Sequence, residues 1–349
     1  MSLREPIDVA VDLGLVPPPL PPILTMRTFV ADPPPPPPET IEGVLHQGCK
    51  MILTGTSKSN KTWGLLDLGL SVAAGEPWWG RRTSRGSVLY VNFELPEWAI
   101  ARRIEAICNC RQEIKGIGEA FHLWNLRGHS GDISILRPDL QRQFDRYDFK
   151  LIIMDPAYKL LGDRDENANS DITSLLNEFE RIACHTEAAV VLAHHFAKGD
   201  PSGKEPIDRM SGAGAWARDP DSIMVLTPHE EPNCYTVSSI LRNFPILPEF
   251  VLTWDYPIMR PVPDLNPSQI RSRGSSQKAC SDAEFLHQFI SEKPQGRPAI
   301  LAAAAAQGIS RATVDRYLFR LIKAGIVAKG GGMYWLANKE NTNNTQRED

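Results

Sequence analysis

No stretch of about 18 apolar residues occurs in this chain, and its opening MSLREPIDVAVDLGLVPPPLPP has neither a basic start nor a long apolar segment. Neither a membrane span nor a secretory leader is therefore expected. Cysteine is sparse, with six in 349 residues at Cys49, Cys108, Cys110, Cys184, Cys234 and Cys280. That scatter argues against a disulfide framework, and no second Cys/His pair stands near Cys108 and Cys110 to complete a tetrahedral metal site. A soluble, cytoplasmic protein with reduced thiols is the expectation. Neither sign of charge dominates: 38 Lys and Arg face 42 Asp and Glu, and 42% hydrophobic with 23% charged residues is an ordinary globular mixture.

Proline is the residue in excess, 29 of 349, or about 8% against a usual 5%. Pro17 to Pro19, Pro21 and Pro22, and an unbroken Pro33 to Pro38 favour an extended polyproline II conformation, so residues 1–40 read as an N-terminal arm. Charge is unevenly placed as well. Residues 268–338 hold ten basic and four acidic residues, whereas residues 1–267 hold 26 and 35. A basic C-terminal part on an acidic body offers one place for polyanion contact, or simply a solvated face.

From Lys50 onward, apolar strands alternate with helical stretches. MILTG, SVLYVNF, FHLWNL, LIIMD and AAVVLAH are the strands; helices are expected over 61–74, 96–110, near 138–147 and over 171–186. This alternation predicts an α/β fold with a mainly parallel sheet. After residue 221, SIMVLT, CYTVSSILR and EFVLTWDY read as consecutive strands able to extend the sheet in antiparallel fashion. The domain spans 41–257, and residues 258–279, rich in Pro, Ser, Arg and Gly, read as a linker. Over 280–338, helices capped by Ser281 and Ser310 flank one started by Pro298, and a Gly-tipped hairpin closes a winged-helix plan. The tail 339–349 is polar and expected to be disordered.

Gly55-Thr56-Ser57-Lys58-Ser59-Asn60-Lys61-Thr62 lies where a strand gives way to a helix. The phosphate-binding loop GxxxxGK[ST] needs this arrangement, because backbone N–H groups and a helix N-terminus cradle the phosphates of ATP. Lys reaches the terminal oxygens, and the hydroxyl holds Mg²⁺. Asn60 stands in place of the second Gly and is the side chain best able to keep left-handed backbone. Asp155 ends LIIMD, at the strand edge where a carboxylate can hold Mg²⁺, though it could also cap the turn at Pro156. Glu94 closes VNFE and can align and deprotonate the attacking water, or serve only as a helix N-terminal charge. His194 and His195 point to opposite faces of their strand, so one can face the γ-phosphate. The segment after them carries Lys198, Lys204 and Arg209.

GTSKSNKT, the Glu of VNFE, LIIMDP, LAHHFAKG and SGAGAWARDPD, in this order, resemble the RecA-type ATPases of the RepA hexameric helicase group, within the broad class of DnaB-like replicative helicases. The resemblance covers about residues 42–255. It implies a RecA-like core in a homo-hexameric ring, with ATP and Mg²⁺ between subunits and an arginine finger from the neighbour. The loop after the His pair would face a central channel holding single-stranded DNA. By position, Lys61 and Thr62 would bind phosphate and Mg²⁺, Asp155 the Mg²⁺ and Glu94 the water; His194 or His195 would be the sensor, and Arg218 or Arg242 the finger. The chain departs from that pattern at Asn60 and in its added C-terminal module. There Arg316, Arg320 and Lys323 share one helix face, suited to duplex DNA or to a docked protein. The function expected is an ATP-hydrolysing motor on DNA, a replicative helicase of a plasmid, phage or mobile element. The alternative is an ATP-gated DNA-binding regulator or recombination accessory factor without unwinding activity; a small-molecule kinase would leave the basic module unused.

Overall fold

A computed structural model describes residues 20–114, 116–129, 133, 140, 142–144, 146–162, 164–166, 168–195, 214–271, 282–291, 293–307 and 311–337. The chain divides into two compact units at Pro38 and Glu39. In the first, residues 20–38 are exposed throughout, and Met26–Ala31 form a short helix, α1, rather than continuous polyproline II. No proline occurs between Pro22 and Pro33, and the Thr25 hydroxyl accepts from the Thr28 amide at 3.2 Å, which starts a helical turn.

The second unit is built on a nine-stranded sheet. Its strands are β3 (Lys50–Gly55), β4 (Ser87–Asn92), β5 (Phe121–Asn125), β6 (Phe149–Asp155), β7 (Ala189–His195), β8 (Ser222–Pro228), β9 (Cys234–Leu241), β10 (Phe250–Asp255) and β11 (Ile258–Pro261). A two-stranded ladder of β1 (Glu39–Ile41) and β2 (Leu45–His46) precedes them. The order β11-β10-β9-β8-β3-β7-β6-β4-β5 is parallel from β8 to β5 and antiparallel from β8 to β11. Two apolar layers follow from period-2 alternation. Met51, Leu53, Val88, Tyr90, Leu151 and Ile153 pack under α2 (Lys61–Ala74) and α3 (Glu97–Cys110). Ile52, Leu89, Val91, Ile152 and Met154 face α4 (Asn169–Thr186) on the other side. The expected mixed α/β architecture with a mostly parallel sheet is the one observed. Of the helix expected near 138–147, residues 140 and 142–144 are helical and the others lie partly outside the described residues.

Residues 258–271, expected as the first part of a linker, are tied to the sheet. Ile258 and Met259 are buried as β11 pairs with β10, and the Arg271 amide still donates to the Pro228 carbonyl at 2.9 Å. Pro261, Pro263 and Pro267 obscured this in the sequence, yet Pro261 ends the edge strand β11, where a missing N–H is tolerated, and Pro263 and Pro267 follow it outside any strand. Residues 272–281 lie outside the described set, as do the expected caps Ser281 and Ser310.

α2 is buried almost all round, and this includes Asp67. Arg111, just past α3, donates to Asp67 at 2.6 Å, to Ser71 at 2.7 Å and to the Pro77 carbonyl at 3.1 Å. Burial holds the Asp67 carboxyl above its ordinary value despite that guanidinium. Arg111→Met should therefore cost about 3 kcal/mol in urea unfolding at neutral pH, since it strands a buried carboxylate. A group whose folded pKa is raised loses stability as pH rises through that pKa, so the deficit should shrink on acidification. A loss below about 1 kcal/mol would show that water reaches Asp67.

Residues 282–337 form helices α6 (Asp282–Phe289), α7 (Arg297–Ala306) and α8 (Arg311–Lys323), with an antiparallel sheet β12-β14-β13. β12 is Gln295–Gly296, β13 Val327–Gly330 and β14 Met333–Leu336. Gly331 and Gly332, both at positive φ, make the two-residue hairpin turn. Val314, Leu318 and Leu321 face a separate core containing Phe285, Phe289, Ile300 and Tyr334. β12 escaped the sequence reading because two residues leave no periodicity.

Candidate nucleotide site

The site forms at the C-terminal edge of the parallel strands, where β3, β6 and β7 end beside the start of α2. Gly55 is required by space: a Cβ there would lie 2.9 Å from the Leu226 carbonyl and the Ser59 hydroxyl. Asn60 takes φ 59° and ψ 23° immediately before α2, so it supplies the left-handed turn that the second glycine of the motif ordinarily provides. The first α2 bond is from the Gly64 amide to the Asn60 carbonyl at 3.1 Å. By helix geometry the amides of Lys61, Thr62 and Trp63 have no intrahelical acceptor and mark an anion-binding end.

Lys61 is buried, and its ammonium donates to the carbonyls of Gly55 (3.1 Å) and Thr56 (2.9 Å) and to the Ser59 hydroxyl (3.4 Å). Burial lowers its pKa to about 8, against the opposing charges of Asp155 and Glu94. Asp155 accepts a hydrogen bond from Tyr90 at 2.7 Å and another from the Thr62 hydroxyl. Its burial pushes the carboxyl up, and those two bonds pull it down. A hydroxyl and a carboxylate in contact form a hard oxygen pair suited to Mg²⁺. The loop and this pair thus fit a magnesium nucleotide.

Glu94 is exposed, and its Oε1 accepts from the Tyr158 hydroxyl at 2.8 Å. Asn92 shapes the turn that presents it, its Oδ1 accepting from the amides of Glu94 (3.3 Å) and Leu95 (3.0 Å). The two histidines separate as strand alternation requires. His195 lies on the Lys61 and Glu94 side, with the Tyr158 ring centroid 6.1 Å away. Burial, reinforced by the charge of Lys61, lowers its pKa, and its buried Nδ1 has no hydrogen-bond partner among the described residues. His194 stacks on Trp216 at 4.3 Å, on the opposite face of the sheet.

The remaining sequence candidates lie elsewhere. Arg218 ends α5 (Ala215–Arg218), and Arg242 donates to its carbonyl. Arg242 also approaches Asp221 at 3.9 Å, and Asp221 accepts from the Lys50 amide at the start of β3. Five residue steps from Lys50 to Gly55, roughly 17 Å at about 3.3 Å each, separate this end from the loop, so Arg242 does not serve its own chain's nucleotide loop; the Arg218 guanidinium instead turns back toward Gly214 and Asn169. Lys198, Lys204 and Arg209 lie outside the described residues, as does the side chain of Arg316. Arg320 is exposed over the Tyr317 ring at 5.0 Å, and Lys323 is exposed. Tyr90, Asn92, Tyr158 and Trp216 were missed by the sequence reading. Tyr90 looked like one more core residue of SVLYVN, and only the pairing of β4 with β6, which brings its hydroxyl to Asp155, could have marked it.

A family model described as an AAA domain matches residues 17–201, more than half of the chain. No curated protein matches it. Among the described residues no helix is long and apolar enough to cross a membrane.

Proposed function

The chain belongs to the AAA domain family and is a nucleotide-hydrolysing ATPase, and from that premise we propose that it is a RepA-like ring motor that moves on DNA. The observation that carries this reading is the grouping of Lys61, the Thr62–Asp155 pair, Glu94 and His195 around one loop, while Arg242 stands at the far end of the sheet. An arginine that cannot serve its own loop suits the loop of a neighbouring copy, as in a ring whose sites lie between subunits. Lys61 binds the phosphates, and Thr62 and Asp155 hold Mg²⁺, which when bound neutralises charge on the phosphate oxygens. Glu94 takes the proton of the attacking water as the new oxygen–phosphorus bond forms and the bond to ADP breaks. Tyr158 fixes that carboxylate.

His195 senses the γ-phosphate from one face of β7, and its neighbour His194 holds Trp216 of α5, the helix that carries Arg218. A change at the nucleotide thereby reaches the segment between them, with Lys198, Lys204 and Arg209, which contacts single-stranded DNA. The C-terminal module supports a winged-helix reading through its three helices and β12-β14-β13 sheet, with α8 presenting Arg320 and Lys323 to duplex DNA. ATP-dependent strand displacement on a forked duplex, with mass photometry of the assembly, tests this. Unwinding by a six-membered species is the expected result; DNA binding without displacement would instead establish the ATP-gated regulator.

A further inference from the structure

β3 carries the phosphate loop at one end and a buried lysine at the other. Lys50 is 2% exposed, and its ammonium pairs with Asp219, just past α5, and with Glu180 of α4 at 2.6 Å, and also donates to the Leu176 carbonyl at 3.5 Å. Burial pulls its pKa down, and its hydrogen bonds to Asp219 and Glu180 more than offset this, so it stays charged. Its main chain grips a third carboxylate. The Lys50 amide donates to Asp221 Oδ2 at 2.9 Å, and its carbonyl accepts from the Asp221 amide at 3.1 Å. The segment from Asp219 to Asp221 is thus pinned at both ends by one residue.

No step of phosphate chemistry on the same chain reaches Lys50, which lies roughly 17 Å from Gly55. Nor is a buried ion pair a strong source of stability, because desolvation offsets its Coulomb attraction. What the pair does fix is geometry, and Arg242 hangs on that corner. Its amide donates to the Asp221 carbonyl at 2.9 Å, and its guanidinium approaches the Asp221 carboxylate at 3.9 Å and donates to the Arg218 carbonyl. Asn243 reaches the same carboxylate at 3.5 Å. The Arg242 side chain is nevertheless 54% exposed, so its base is held while its head stays open to a second molecule. We propose that Lys50 is a positioning residue for ATP hydrolysis: through Asp219 and Asp221 it fixes the corner from which Arg242 enters the nucleotide site of a neighbouring copy. This rests on the ring reading above. One strand then serves two sites, its own through the loop and the neighbour's through the lysine.

Turnover of single and mixed variants tests this. A misplacement of about 1 Å in an aiming group costs up to about 10²-fold, so Lys50→Met should lower kcat about ten- to a hundredfold with ATP affinity unchanged. Lys50→Arg, which keeps the cation, should recover most of that loss. In an Arg242→Ala background Lys50→Met should add no further loss, since both act through one group. Lys61→Ala has a dead loop and an intact Arg242, so mixing it in equal amounts with Lys50→Met should raise turnover above either alone. Arg242→Ala mixed with Lys50→Met should give no rise. A merely structural defect in the Lys50→Met loop produces the reverse pattern, and that pattern, or wild-type kcat in Lys50→Met, overturns the positioning role. Asp219→Asn cuts the same pin at a partly exposed carboxylate and should repeat the result where Lys50→Met fails to fold. If Lys61→Ala and Arg242→Ala do not restore one another, the ring reading fails and Lys50 loses its role with it. If they do, and Lys61→Ala leaves Lys50→Met unrescued, only the role of Lys50 falls.

Discussion

Lys61→Ala should lower ATP turnover by about 10²–10³-fold, the scale of one lost charge-stabilising donor in a phosphoryl or acyl transfer site, while thermal unfolding stays close to wild type. The two expectations share one cause. Burial holds the Lys61 pKa at about 8, so the ammonium is a strained charge in the free protein, with its compensation limited to loop carbonyls and Ser59. Removing it relieves desolvation while it forfeits those hydrogen bonds, and the net effect on folding is small. Phosphates favour the charged form. Since the pKa is lowered, that form is lost as pH rises through 8, and nucleotide affinity should weaken about tenfold per pH unit above it. ADP binding at pH 7, 8 and 9 reads this slope, and Lys61→Ala should flatten it. Wild-type turnover in the variant would remove the loop from the mechanism.

Most of the site was legible because phosphate chemistry fixes residue types at fixed offsets. Gly55 to Thr62 announced a strand, a turn and a helix N-terminus, and even the departure at Asn60 kept the one backbone property required, a positive φ. Alternation in VVLAHH likewise required the two histidines to face opposite sides of the strand, although that His195 is the one toward the loop came only from the structure. What stayed hidden depends on tertiary neighbours. Tyr90 is an ordinary buried aromatic until β4 is laid beside β6, whose register pairs Tyr90 with Ile153 and brings its hydroxyl to Asp155. Lys50 reads as the polar start of an apolar strand until Glu180 and Asp219, distant in sequence, close on it. The prolines near 261–267 misled for the opposite reason: they punctuate a chain locally, yet Pro261 ends an edge strand and the Pro267 carbonyl accepts from Thr236 of β9.

Glu94→Gln should reduce kcat by about 10²–10⁴-fold, the usual contribution of a positioned general base, with ATP affinity held within a few-fold. The amide is nearly isosteric and its oxygen still accepts from Tyr158, so position is kept while the proton acceptor is removed. The competing role predicts something else. A carboxylate ahead of α3 that only favours the helix dipole would contribute about 0.3–1 kcal/mol to stability, and Gln would then shift unfolding slightly without touching turnover. Tyr158→Phe adds a second readout. Burial and the hydrogen bond to Glu94 keep the phenol protonated well above its ordinary range, so the hydroxyl donates and the carboxylate stays the acceptor. Losing that donor should cost turnover far less than losing the carboxylate, since Glu94 then keeps its chemistry and loses only its orientation. Equal losses in the two variants would place the proton acceptor elsewhere, with His195 the next group on that face.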